Sequence, residues 1–206
     1  MKLHINLEIM SFVESQILPQ YAAFGESHGL RHANRVIKNS VQLARQTGAD
    51  LDMAYIIAAY HDLGMSGPRA IHHITGGKIL ASDARLKRWF TPDQIRIMKE
   101  AVEDHRASAS REPRSIYGKI VAEADRDLDP TEVFTRAIKY GRERHPELDK
   151  EQQWRRFAQH MDEKYGRNGY IKLWIPHSPN ELNLKKIQGL IANKAELRRI
   201  FDKLYT

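Results

Sequence analysis

The stretch LDMAYIIAAYHDLG, residues 51–64, is the most apolar helix-like part of the chain and decides the fold. It leaves almost no polar face, and a helix that is apolar all round is buried in a protein core. His61 and Asp62 close the stretch, and Gly64 fits a helix stop. Burying a carboxylate without a partner costs several kcal/mol or more, so this pair needs neighbours. We therefore predict a central buried helix whose end holds either a divalent metal ion or a hydrogen-bonded His–Asp pair.

Helical periodicity extends through the segments on both sides. Apolar residues recur at spacings of three and four in residues 5–24 and 30–47, and the second run ends at Gly48. Thr91-Pro92-Asp93-Gln94 and Ser178-Pro179-Asn180-Glu181 each offer an N-cap followed by Pro at the first helical position. Further helices are predicted over residues 115–128, 130–141 and 149–165, with a last helix from the Ser178 cap to Phe201. Alternation typical of a strand is confined to Tyr170–Ile175, so we predict an all-α fold.

The composition limits the kinds of site that the chain can build. It has 206 residues, no cysteine, ten histidines and a net charge of +7. Without cysteine it has no disulfide and no thiolate, so any metal must be bound by histidine and carboxylate. The positive charge favours anionic partners. No run approaches the roughly 18 apolar residues of a membrane span and the N-terminus has no secretory apolar region, so we expect a soluble cytoplasmic protein with no membrane partner.

Two more ionisable residues lie on predicted helices of apolar character. His32 lies beside the apolar stripe of its helix, and Asp125 follows on a later helix. Taken singly, His32 could be an ordinary core histidine, and Asp125 could pair with Arg126 or Lys119. Together with the His-Asp pair that lies between them in the sequence, they become candidates for a shared site.

The order of a His, a His-Asp pair at the end of a buried helix and a distant Asp resembles the HD-domain superfamily of metal-dependent phosphohydrolases. The matching stretches are LRHANRV at Leu30–Val36, AAYHDLG at Ala58–Gly64 and VAEAD at Val121–Asp125. The resemblance covers residues 25–130 and implies an all-α fold. It also implies a metal ion bound by His32, His61, Asp62 and Asp125. We accordingly expect an HD-type metal-binding domain at residues 1–145 and a helical extension at 146–206 packed on the same domain.

Members of the superfamily with two metal ions use the order His, His-Asp, His, His, Asp. The chain fits that order with His73 and His105 as the added ligands and Asp62 as the bridge between two ions. His105 shares the apolar stripe of its predicted helix, so it faces inward. Alternatively, His73 and His105 contact substrate phosphate or pack without binding metal. His72 could replace His73, but it would face a different side of its helix.

The resemblance implies hydrolysis of a phosphate ester or anhydride in a small phosphorylated substrate, such as a nucleotide or a dinucleoside polyphosphate. One or two divalent ions, drawn from Fe, Mn, Zn, Ni, Co and Mg, would activate water, because a bound metal lowers its pKa from about 15.7 toward about 7. Asp62 is the catalytic candidate. The candidate cations for the substrate phosphate are Lys78, Arg106 and Arg126.

Other functions fit parts of the pattern. Some two-metal HD proteins are di-iron oxygenases, and nothing in the sequence excludes that chemistry. The net charge of +7 also suits a nucleic-acid-binding module, but the basic residues are scattered and no RNA or DNA motif is visible. HD members that hydrolyse cyclic dinucleotides usually place a Lys shortly after the His-Asp and carry Gly-Tyr-Pro. Here Met65 follows Gly64 and that motif is absent, which disfavours such a substrate. The oligomeric state is left open.

Overall fold

The computed structural model describes residues 4–106 and 111–205. Within these ranges helices are the regular secondary structure and no residue belongs to a strand, which confirms the predicted all-α fold. Tyr170–Ile175, where the sequence alternates, is an irregular connection between two helices. None of the described helices has both the length and the apolar character needed to cross a bilayer.

The predicted helices are present in order with some changes at their ends, and the structure adds helices at Gly25–His28 and His72–Ser82. The first seven are α1 (Leu7–Phe12), α2 (Gly25–His28), α3 (Leu30–Thr47), α4 (Leu51–Tyr60), α5 (His72–Ser82), α6 (Pro92–Asp104) and α7 (Ile116–Asp125). The remaining ones are α8 (Pro130–Arg144), α9 (Lys150–Tyr165), α10 (Pro179–Ala192) and α11 (Lys194–Leu204). The single helix predicted over residues 5–24 is instead α1, a π-helical turn at Val13–Ile17 and a 3-10 helix at Leu18–Ala23. Pro19 has no N–H to donate, which prevents a continuous α-helix there.

The chain forms two compact units, Met1–Arg126 and Asp127–Thr206. The second unit has its own apolar core, in which Phe134 and Ile138 of α8 lie with Phe157 of α9 and Phe201 of α11. The domain boundary expected at residue 145 stays a prediction. In the structure the helix before that residue, α8, packs with α9, α10 and α11.

α4 lies at the centre of the first unit, and every residue from Leu51 to Tyr60 is buried. Helices α3, α6 and α7 pack around it, so it has no face left for water, as its sequence predicts. Asp52, its charged residue, accepts a hydrogen bond from the backbone N–H of Asn6 at 2.8 Å. The chain therefore leaves α4 inside the protein, where the next two residues are a histidine and an aspartate.

The predicted capping signals are confirmed, with one boundary that the sequence analysis missed. Thr91 and Gln94 form the capping box that starts α6. Ser178 accepts a hydrogen bond from the backbone N–H of Glu181 at the start of α10. The last helix was expected to run on to Phe201, but it breaks at Asn193, whose side chain caps α11. Asn is among the strongest N-cap residues, which explains the break.

Glycines bring α5 against the turn that follows α4. A Cβ atom on Gly64 would overlap the carbonyl oxygen of His72 and would lie 2.6 Å from the backbone nitrogen of Gly76. A Cβ atom on Gly76 would lie 3.1 Å from the carbonyl oxygen of His61. The absence of side chains at these two positions lets the first turn of α5 approach the His61-Asp62 segment.

We expect Gly64→Ala to lower the free energy of unfolding by about 1–3 kcal/mol, the usual cost of overpacking. Gly189→Ala is the matched control, because a Cβ atom there meets nothing within 4 Å and the position lies inside α10. That control should raise the free energy of unfolding by about 0.5–1 kcal/mol through helix propensity. Urea denaturation followed by circular dichroism measures both. Equal effects of the two substitutions would contradict the close approach at Gly64.

Candidate metal centre

His61 and Asp62 are fixed in a buried turn at the end of α4. The side chain of His61 is fully buried, and that of Asp62 is 3% exposed. The ring of His61 donates through Nδ1 to the carbonyl oxygen of Ala58 at 2.7 Å, which leaves Nε2 free to face the interior. Tyr21 donates its O–H to the carbonyl oxygen of Ala59 at 2.9 Å and accepts from the backbone N–H of Asp62 at 3.4 Å. The turn is therefore held on both sides of the pair.

One cluster of donor atoms combines α3, the end of α4 and the end of α7. His32 Nε2 lies 3.0 Å from His61 Nε2, 3.4 Å from Asp62 Oδ2 and 3.3 Å from Asp125 Oδ1. Nitrogen and oxygen ligands at about 2.1 Å from one ion are roughly 3.0–3.4 Å apart in octahedral or tetrahedral geometry. The other three residues that the sequence analysis assigned to the metal thus lie at ligand-to-ligand distances from His32, while His61 Nε2 is 3.9 Å from Asp125 Oδ1.

A second cluster lies on the other oxygen of the same carboxylate. Asp62 Oδ1 is 3.5 Å from His72 Nε2 and 3.6 Å from His105 Nε2. The two imidazole nitrogens are 3.1 Å apart. His72 is the first residue of α5, and His105 directly follows α6. Asp62 therefore faces one donor cluster with each of its oxygens, as a bridging carboxylate would.

The same type of hydrogen bond to the backbone orients three of these histidines. In His61, His72 and His105, Nδ1 donates to the carbonyl oxygen three residues earlier in the chain, at 2.6–2.8 Å. In the neutral rings the Nε2 atoms then carry lone pairs. The facing Nε2 atoms of His72 and His105 are 3.1 Å apart and need a proton or a metal cation between them. Imidazoles held in this way by a backbone carbonyl are typical of metal ligands, so the donor set fits a divalent ion.

Charge interactions keep the central carboxylate ionised. Burial alone would raise the pKa of Asp62, but the charge of His61 and hydrogen bonds from His105, His28 and His32 hold it well below its usual range. Burial lowers the pKa of His32, but hydrogen bonds to Asp125 and Asp62 outweigh it and raise the pKa to about 9. Arg35 donates through Nη2 to Nδ1 of His32 at 3.0 Å. The site is thus dominated by the two carboxylates.

His28 also belongs to the site, although the sequence analysis did not select it. Its Nδ1 donates to Asp62 Oδ2 at 2.7 Å, and it forms a possible metal-binding group with His32 and Asp62. The spacing of four residues between His28 and His32 was the available signal. It was missed because the helix was expected to begin at Leu30, which left His28 in a connection. In the structure α2 ends at His28, and Gly29 alone separates it from α3.

The structure brings His72, and not His73, into the second cluster. The turn Arg69–Ile71 precedes α5, and the bond from His72 to the carbonyl of Arg69 directs its ring toward Asp62. His73 is rotated by about 100° around the helix and belongs to none of the donor clusters found among the described residues. The expectation that His73 joins His105 as a ligand stays a prediction, and the geometry of the cluster favours His72 instead.

The three candidate phosphate-binding cations lie in different environments. Lys78 is exposed on α5, six residues after His72. Arg106 is exposed and donates through Nη1 to the carbonyl oxygen of Ala70 at 2.8 Å, which ties the end of α6 to the turn before α5. Arg126 is 8% exposed and donates to the carbonyl oxygen of Ala122. Their role in substrate binding stays a prediction.

A helical fold with histidine and aspartate donors from separate helices defines a metal-binding domain of the all-α class. Residues 29–128, just under half of the chain, match the family model of the HD domain. A solved structure from an uncultured Thermotogales bacterium, described as a predicted HD superfamily hydrolase, has a TM-score of 0.50 and 26% identity, covering 65% of this chain and 74% of that one. No curated protein matches the sequence. The family and the neighbour support a metal-dependent hydrolase.

The two neighbouring histidines of α5 provide a matched test of the second cluster. We expect His72→Gln to lose about one Mn²⁺ per chain relative to the unchanged protein, because two of the cluster's three donors then remain. His73→Gln should keep the full content. Elemental analysis after reconstitution and desalting measures the ratio. Loss of metal from His73→Gln alone, or the same content in all three proteins, would contradict this assignment.

Proposed function

We propose that the chain is a phosphohydrolase that cleaves a phosphate ester or anhydride in a small anionic substrate, such as a nucleotide or a dinucleoside polyphosphate. The observation that carries this proposal is the position of Asp62 between two donor clusters. Its Oδ2 faces His28, His32 and His61, and its Oδ1 faces His72 and His105. Such a shared carboxylate suits a pair of adjacent divalent ions.

The donors that would hold the ions are nitrogen and oxygen atoms only. His32, His61, Asp62 and Asp125 would bind the first ion, and His72 and His105 would join Asp62 around a second. Imidazole and carboxylate accept Fe, Mn, Zn, Ni, Co and, with more oxygen ligands, Mg. A bound ion of this kind supplies a nucleophile at neutral pH by lowering the pKa of water.

The protein orients the donor side chains and keeps bulk water away from them. His61, Asp62 and His105 are nearly fully buried, so bulk water is kept from the inner side of the cluster and electrostatic interactions there are strong. Asp125, His28 and His72 are partly exposed, so we infer that a substrate reaches the ions past these residues. We assign Lys78, Arg106 and Arg126 to binding of the substrate phosphate. Their ammonium and guanidinium groups suit an anion, and they are close in sequence to the segments that carry the proposed metal donors.

The shared carboxylate also suits two irons, so oxygenase chemistry is the competing proposal. The two reactions differ in what they consume. A hydrolase takes the new phosphate oxygen from water, whereas an oxygenase consumes dioxygen. Phosphate release in ¹⁸O-labelled water under argon therefore separates them.

Removing and restoring metal tests the proposed function directly. We expect chelated protein to release no phosphate from a panel of nucleotides and dinucleoside polyphosphates, and Mn²⁺, Fe²⁺ or Co²⁺ to restore release with ¹⁸O from water. Oxygen consumption with no water-derived phosphate would contradict the hydrolase.

Substituting the bridging carboxylate should abolish this activity. We expect Asp62→Asn to lower kcat/KM by more than about 100-fold, because loss of mere outer-shell partners already costs 10–100-fold in metal sites. Asp52→Asn, a buried carboxylate of α4 that belongs to none of the donor clusters, is the control and should retain activity. Metal content and phosphate release are measured together. Undiminished turnover by Asp62→Asn would show that Asp62 is not the shared ligand.

A further inference from the structure

Tyr21 is a fully buried tyrosine beside the metal centre. It lies in the 3-10 helix Leu18–Ala23. Its ring makes an edge contact with Phe24, at 5.4 Å between the ring centroids, and stacks on the ring of His61 at 6.3 Å. These two contacts orient the ring of Tyr21, and its hydroxyl group meets the end of α4.

The hydroxyl of Tyr21 takes part in the backbone hydrogen bonds at the end of α4. It donates to the carbonyl oxygen of Ala59 at 2.9 Å and accepts from the N–H of Asp62 at 3.4 Å. In a continuing α-helix the N–H of Asp62 would donate to the carbonyl oxygen of Ala58. That oxygen instead accepts from Nδ1 of His61 at 2.7 Å. The hydroxyl is thus inserted between two backbone groups that are three residues apart.

The backbone leaves the helical path at Asp62. His61 still has helical dihedral angles, φ −52° and ψ −40°, whereas Asp62 has φ −106° and ψ 5°. Neighbouring side chains on a regular helix point about 100° apart, which would separate the two donors. In this turn Asp62 Oδ2 lies 3.4 Å from His61 Nε2. A side chain inserted among the hydrogen bonds of a helix is a recognised cause of such a change in direction.

We propose that Tyr21 is a positioning residue of the metal centre. Its hydroxyl keeps Asp62 off the helical path, so that two consecutive side chains reach one donor cluster and Asp62 keeps an oxygen for each cluster. Without the hydroxyl, the N–H of Asp62 and the carbonyl oxygen of Ala59 are left to bond to each other in the 3-10 pattern, which requires a φ of about −60° at Asp62. That rotation moves the carboxylate relative to both clusters.

This inference rests on the metal centre of the proposed function and not on the reaction that the centre catalyses. Both partners of the hydroxyl are backbone groups, so Tyr21 acts on the donors through the turn that carries them. Its effect therefore belongs to metal binding, which can be measured whether or not the chain releases phosphate.

Tyr21→Phe and Tyr117→Phe form a matched pair at the two ends of α4. The hydroxyl of Tyr117 accepts from the backbone N–H of Asp50, the N-cap of α4, at 3.1 Å. We expect Tyr21→Phe to raise the dissociation constant for Mn²⁺ by about 10–100-fold, the usual cost of losing an outer-shell partner, and Tyr117→Phe to leave it unchanged. Isothermal titration calorimetry of the metal-free proteins measures the constants, and circular dichroism checks that both variants keep their helix content.

An amine in place of the hydroxyl provides a rescue. A chain with 4-aminophenylalanine in place of Tyr21 keeps the ring, with a donor and a lone pair at the same position. It should bind Mn²⁺ more tightly than Tyr21→Phe does, which loss of packing alone would not explain.

The outcomes separate this inference from the proposed hydrolase. The positioning role is overturned by an unchanged Mn²⁺ dissociation constant in Tyr21→Phe, by an equal rise in Tyr117→Phe, or by an amine that binds no better than Tyr21→Phe. A chain with its own sequence that binds no divalent ion overturns the metal centre together with this role. The expected pattern of Mn²⁺ binding without phosphate release supports the role and contradicts the hydrolase alone.

Discussion

The rest of the structure depends on one constraint, the ionised carboxylate of Asp62 at the buried end of α4. A buried carboxylate is tolerated only with partners, and the first unit supplies them from several elements. His28, His32 and His61 face one oxygen, and His72 and His105 face the other. The apolar helix therefore fixes the depth of the site, while α2, α3, α5 and α6 are arranged around its last residues.

Hydrogen bonds to nearby backbone carbonyl groups define the orientations of the histidine rings. The carbonyl oxygen three residues before His61, His72 and His105 fixes each ring, so orientation does not depend on distant side chains. Gly64 then allows α5 to approach closely enough for His72 to reach Asp62. Packing and tautomer thus act together, because a ring in the right place with the proton on the wrong nitrogen could not bind a metal.

The sequence predicted site residues in two situations. In one, polar residues followed an apolar run, and in the other, the order of residues resembled that of a known family. A charged pair at the end of an apolar run pointed to His61 and Asp62, and the resemblance supplied His32, His105 and Asp125. The geometry favours His72 over His73, because a 3-10 turn at Arg69–Ile71 precedes α5 and the ring of His72 donates to the carbonyl oxygen of Arg69. His28 was missed because Gly29, which is extended at φ −78° and ψ −171°, changes the direction of the chain between α2 and α3. The periodicity of apolar residues in the sequence does not predict such a turn.

The composition of the donor set links the site to its substrate class. The clusters contain five imidazoles and two carboxylates among the described residues. Neutral imidazoles add no charge, so two divalent ions bound here would leave the centre at about +2 once both carboxylates are counted. Such a centre attracts a phosphate dianion by itself, with less need for free cations around it. A carboxylate-rich set would bind the ions more tightly but would repel the phosphate, so the histidine-rich set favours an anionic substrate.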